Sequence, residues 1–114
     1  MTATYIPESR TYVGTRVSAS NVQVHIDEAG YGEWLPHVGK YTASFQWGCD
    51  GDGSAGLAWS ILAHHLADHE WYGKPTGNAE RLHRKFNDEV IAGLPHGGFR
   101  LKASEVQAWL DKQG

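Results

Sequence analysis

Residue types and spacings suited to chemistry concentrate between Phe45 and Leu66, where FQWG leads into the glycine-rich CDGDGSAG and then into LAWSILAHHL. Gly51, Gly53 and Gly56 spell G-x-G-x-x-G at the join of a predicted strand and helix, where backbone amides at a helix start can cradle a phosphate. Asp50 and Asp52 put negative charge where that phosphate would sit, and no second strand of a βαβ unit follows. The spacing therefore reads first as a tight turn in which glycine permits positive φ and close packing. Asp50, Asp52 and Ser54 also share the odd-position spacing of a calcium loop, but Ala55 stands where that loop needs glycine and Ile61 where it needs glutamate. The plainer role of these groups is to cap the helix, at Asp52 or Ser54, and to complement its dipole.

His65 and His69 lie one helical turn apart, beside His64, and are placed to share a metal ion with Asp68. No glutamate sits between them as in a metalloprotease helix, so the alternative is a polar helix end exposed to solvent. Cys49, the single cysteine, sits near a helix start that acidifies a thiol, but adjacent carboxylates oppose thiolate formation; a small buried residue at a strand end is the bland alternative. No catalytic constellation is complete and no cofactor is called for. Of five tryptophans, Trp47, Trp59 and Trp109 fit core faces, whereas Trp34 and the Trp71-Tyr72 pair fall in glycine-containing loops. Aromatic side chains in loops anchor partners or fold back on their own core. The candidate binding residues are Trp34, Asp50, Asp52, Asp68, Glu70, Trp71 and Tyr72.

The elements that must position these residues belong to one domain, 1–114, because 114 residues suffice for one core. Residues 1–10 show no periodicity and read as a loose lead-in. The β-prone TYVGTRV and the strictly alternating Asn21 to Ile26 pair as a hairpin, with Ser18, Ala19, Ser20 and Asn21 supplying the turn chemistry. Residues 27–40 read as a loop, and Tyr41, Ala43, Phe45 and Trp47 mark one face of a further strand. The helix after the glycine turn is apolar nearly all round, hence mostly buried. Asn78 opens a second helix striped by Leu82, Phe86, Val90, Ile91 and Leu94. Phe99 to Leu101 predicts a short strand, and SEVQAWL a last helix with Ser104 and Gln107 as a capping box. The fold class is α+β: a small antiparallel sheet of three or four strands packed on one face by two or three helices.

Composition narrows the partners. A net charge of -3, with ten Lys and Arg scattered along the chain, provides no basic footprint for nucleic acid. Arg81, Arg84 and Lys85 cluster on one helix but are flanked by Glu80, Asp88 and Glu89 at helical spacing, which suits an ion-paired solvated face. The N-terminal residues lack a signal-peptide pattern and no apolar run approaches a membrane span, so a cytoplasmic setting without membrane contact is expected.

FQWGCDGDGSAGLAWSIL resembles the central motif of a small domain family of unknown function from bacteria and their phages. The carrying residues are Phe45, Trp47, Gly48, Gly51, Gly53, Leu57, Ala58, Ile61 and Leu62, with Phe86, Val90, Leu94, Trp109 and Leu110 similar to the family's second half. The chain departs from the pattern at Cys49, at Ala55 and in the connection from Asp68 to Asn78. The resemblance implies a phage or mobile-element origin and no activity. The expected function is a non-enzymatic protein that binds a host bacterial protein, as an inhibitor of a bacterial defence system of the anti-CRISPR kind, through an acidic and aromatic surface. The alternatives are a metal-assisted hydrolase or small-ligand binder using the Asp50 to Ser54 turn with a histidine, and a structural or regulatory phage module.

Overall fold

The computed structural model describes residues 10–28, 31–38, 41–66 and 77–113. β1 (Arg10–Ser18) and β2 (Asn21–Glu28) form the expected antiparallel hairpin. β3 (Tyr31–Trp34) adds to the free side of β2 and β4 (Gly98–Lys102) to the free side of β1, giving a fully antiparallel sheet ordered β3-β2-β1-β4. Residues directly opposite across such strands share a face, so the register sorts the side chains into rows. One inner row runs Glu33, Ile26, Tyr12, Leu101, and the next runs Val24, Gly14, Phe99. The outer face carries Trp34, His25, Val13 and Arg100 in one row. Gly14 is required in the inner row, because a Cβ there would lie 2.1 Å from the Phe99 ring.

Two expectations fail between residues 27 and 47. The predicted loop contains β3, because the hairpin leaves β2 with an unpaired edge onto which the chain folds back at once. The predicted strand from Tyr41 to Trp47 is not a strand: it joins neither edge of the sheet and crosses over the start of the first helix instead. Its alternation matches burial only in part: Tyr41 and Phe45 are half-buried and Trp47 is buried, but Ala43 is exposed and Gln46 is half-buried. The segment crosses the start of the first helix so closely that a Cβ on Gly53 would lie 2.4 Å from the Ser44 carbonyl oxygen. At its end Trp47 is fully buried, its indole N–H shared between the carbonyls of Pro95 (3.0 Å) and His96 (3.2 Å), its ring edge-to-face with Phe99. Gly48 then turns the chain at φ 71° and donates its N–H to Ile91.

α1 (Asp52–Leu66) is buried on nearly every side, as its apolar sequence demands. Its first bond runs from Ala55 N–H to the Gly51 carbonyl, so Gly51 stands at the cap, Asp52 lies in the first turn, and Ser54 is buried within the helix. α2 (Gly77–Glu89) packs along α1 through Ala79, Leu82 and Phe86. The Lys85–Glu89 pair, 4.0 Å apart, realises part of the expected ion-paired face. A short 3-10 turn, Ile91–Gly93, leads to β4, and α3 (Ala103–Asp111) follows directly. The cap of α3 differs from expectation: the Lys102 N–H donates to Glu105 Oε1 at 3.0 Å, two residues before the predicted Ser104 and Gln107. Helix and sheet share one core built on Tyr12, Trp47, Leu57, Trp59, Leu62 and Phe86.

Candidate functional site

The two ends of α1 hold different groups of candidate residues, about 20 Å apart by the helical rise. At the C-terminal end, β3 presents its edge. Trp34 is 65% exposed and stands edge-on to the His25 ring opposite, with centroids 6.4 Å apart. Glu33, on the inner row, reaches past the edge of the sheet to within 4.0 Å of His64 Nε2. His25, Gly32, Glu33 and Trp34 line a depression of about 350 Å³ along this edge. Trp34 therefore belongs to an edge strand and not to a loop.

Beneath the edge lies a polar chain. His64 Nδ1 and the Tyr12 hydroxyl are 2.9 Å apart and share a hydrogen bond; burial pushes the Tyr12 hydroxyl well above its ordinary pKa, against the pull of the nearby Arg10, so it stays protonated. Arg10 in turn pairs with Glu28 at 3.0 Å. His65 is buried rather than solvent-exposed: its Nε2 lies 2.8 Å from Gln107 Oε1, and burial holds its pKa below the usual histidine value. No set of three His, Cys, Asp or Glu among the described residues is placed to hold a metal ion. Asp68, His69, Glu70, Trp71 and Tyr72 lie outside the described residues.

At the N-terminal end of α1, Asp50 and Asp52 are exposed. Together with Tyr41, Gly51, Ala55, Arg84, Asn87 and Asp88 they line a cleft of about 300 Å³ between the glycine turn and α2. Asn87 Nδ2 donates to Asp50 Oδ1 at 3.2 Å, and the Tyr41 hydroxyl lies 3.0 Å from His83 Nε2. Cys49 is exposed, not buried, its Sγ 3.5 Å from the Ser54 hydroxyl. The structure thus places the Asp50 to Ser54 turn at one end of α1 and His64 and His65 at the other. Sequence reading missed Glu33 and His25, whose relation to Trp34 depends on the β3 register. It also missed Asn87, for which the one local signal was a polar residue next to Phe86 in the apolar stripe of α2.

Residues 12–112 match the Family of unknown function (DUF6166), and the chain belongs to that family. No curated protein and no solved structure matches it. No helix among the described residues is long and apolar enough to cross a membrane.

Proposed function

We propose that this chain works by binding another protein along the edge of β3, with Trp34 as the anchor. The observation that carries the reading is a tryptophan 65% exposed on a strand whose outer edge has no ladder partner among the described residues. An unpaired strand edge offers main-chain donors and acceptors to an added strand. Tryptophan supplies a large contact area for little conformational entropy, which is why it dominates interface energetics. The finer reading is that the partner is a host bacterial protein, that the chain derives from a phage or mobile element, and that it acts in the bacterial cytoplasm as an inhibitor of a defence system. In that reading the acidic groups, Asp50 and Asp52 among them, occupy a partner surface that otherwise holds nucleic acid.

The test is affinity capture from a bacterial lysate with the wild-type chain and Trp34→Ala side by side, the captured protein then being purified and its dissociation constant measured with both. A stoichiometric partner bound at least tenfold more weakly by the variant supports the reading. Equal affinity for both chains places the interface elsewhere. The inhibitor reading additionally requires that the purified partner loses nucleic-acid binding when the chain is added.

A further inference from the structure

The main chain of β3 has a definite polarity. Trp34, Glu33, Gly32 and Tyr31 stand opposite His25, Ile26, Asp27 and Glu28, and the next residue, Leu35, donates its N–H to the Val24 carbonyl at 3.2 Å. Hydrogen-bonded and non-hydrogen-bonded pairs alternate along an antiparallel ladder. Leu35, Glu33 and Tyr31 therefore turn their main-chain groups toward β2, and Trp34 and Gly32 turn theirs away from it. On the reading that β3 is an interface, on which this step rests, an added strand bonds to Gly32 and Trp34. The residue opposite Glu33 then falls in a non-hydrogen-bonded pair, where side chains approach most closely.

The carboxylates of β2 and β3 are not matched alike. Asp27 has Arg100 at 3.6 Å and Glu28 has Arg10 at 3.0 Å. Glu33, its side chain 65% exposed, has no Lys or Arg at ion-pair distance among the described residues; its basic neighbour is His64 Nε2 at 4.0 Å. Gly32 supplies a second, independent feature. A Cβ there would meet only ordinary contacts, Ile26 O at 3.7 Å and His25 Cδ2 at 3.8 Å, so the sheet's own packing does not demand glycine as it does at Gly14. The missing side chain leaves a gap in the outer face, within the depression of about 350 Å³ that His25 and Trp34 also line. A large side chain placed opposite an edge glycine fills such a gap.

We infer that the segment bound along β3 is an extended strand with Lys or Arg opposite Glu33 and, adjacent in its sequence, an aromatic residue opposite Gly32. Alternation sends the two side chains to opposite faces, the cation to Glu33 and the ring over Gly32 beside Trp34. A second copy of β3 fits poorly. When Gly32 and Trp34 of one copy bond to Trp34 and Gly32 of the other, Glu33 meets Glu33, and like charges directly opposite repel.

The test is selection of random short peptides displayed on phage against the full chain, followed by dissociation constants for the synthetic consensus peptide. The expected family carries Lys or Arg next to an aromatic residue; cation first assigns an antiparallel strand and aromatic first a parallel one, and both uphold the inference. Glu33→Arg should weaken the consensus peptide by about fivefold or more, because a cross-strand attraction becomes a repulsion, and the peptide with its cation changed to Glu should recover that loss. Replacing the peptide's aromatic residue by Ala should cost a similar factor. If Trp34→Ala weakens the peptide but Glu33→Arg does not, β3 remains an interface and the cationic strand is overturned. If Trp34→Ala leaves the affinity unchanged, the interface reading itself fails and this inference with it. The absence of any enriched family, or a dimer of the free chain that Trp34→Ala dissociates, would also overturn it.

Discussion

His65 on α1 and Gln107 on α3 meet at 2.8 Å, and their geometry fixes a protonation state. Gln107 Nε2 donates to Asp111 Oδ1 at 2.8 Å, which turns Gln107 Oε1 toward the ring. His65 must then donate from Nε2, leaving Nδ1 as a bare lone pair, buried and without a partner. Burial lowers the pKa most, reinforced by Arg10 and opposed by the hydrogen bond to Gln107.

Acid stability follows from that lowered pKa. Above the ordinary histidine value of 6.5, neither the folded nor the unfolded chain protonates this ring, and its contribution to stability is complete. As pH falls through that value, the unfolded chain takes up a proton that the folded chain resists, and stability is lost until the folded pKa is reached. Urea denaturation at pH 7.5 and pH 5.5 should show this loss, and His65→Gln should reduce the difference between the two. An unchanged difference would mean that other groups dominate acid unfolding.

Trp47 is the pin between the 41–47 crossing and the turn before β4. Its N–H serves two carbonyls and its ring packs on Phe99, while the Arg16 guanidinium carbon lies 5.1 Å from the ring centroid. Trp47→Ala should cost about 3–5 kcal/mol of stability, the range for emptying a large aromatic site. Trp47→Phe keeps most of the packing and loses the donor, so it should cost about 0.5–1.5 kcal/mol, the net contribution of a hydrogen bond whose acceptors, the carbonyls of the exposed Pro95 and His96, can turn to water. Chemical denaturation of both variants orders them.

The glycine spacing that looks like a phosphate cradle makes a sharp contrast. Gly53 has the Ser44 carbonyl where a Cβ would go, and backbone yields little; around Gly51 nothing lies within 4 Å. Gly53→Ala should therefore destabilise by about 1–3 kcal/mol through overpacking. Gly51→Ala should change stability by no more than about 0.5 kcal/mol. Thermal melts of the pair decide whether the second glycine serves packing, and equal melting temperatures would remove that explanation.

The legible parts of this fold are those whose cause is local. Val22, Val24 and Ile26 announced a half-buried strand, and the unbroken apolar character of Leu57 to Leu66 announced a buried helix. Period two from Tyr41 to Trp47 signalled burial at Tyr41, Phe45 and Trp47 but not at Ala43, and whether such a segment joins a sheet is settled by packing elsewhere in the chain. β3 was hidden because it is four residues long and its inner position holds Glu33 instead of an apolar side chain. His65 looked like a solvated helix end because Gln107, which covers it, lies 42 residues away. The cleft was half visible: Asp50 and Asp52 were legible as a pair, whereas Asn87 joins them only through the packing of α2 on α1.

Trp34 separates the needs of binding from those of folding. Its ring touches His25 but contributes to no part of the core, and surface substitutions of this kind change stability by no more than about 0.5 kcal/mol. Trp34→Ala should therefore melt with the wild type while losing partner affinity. A second variant, Gly32→Pro, tests the strand edge itself: proline removes one backbone donor and restricts φ, so it blocks strand addition most directly where that donor faces outward. If hydrogen exchange shows the hairpin intact and binding still falls, main-chain pairing carries part of the affinity. If Trp34→Ala destabilises the chain by several kcal/mol, the tryptophan is a structural element and the exposed-anchor argument fails.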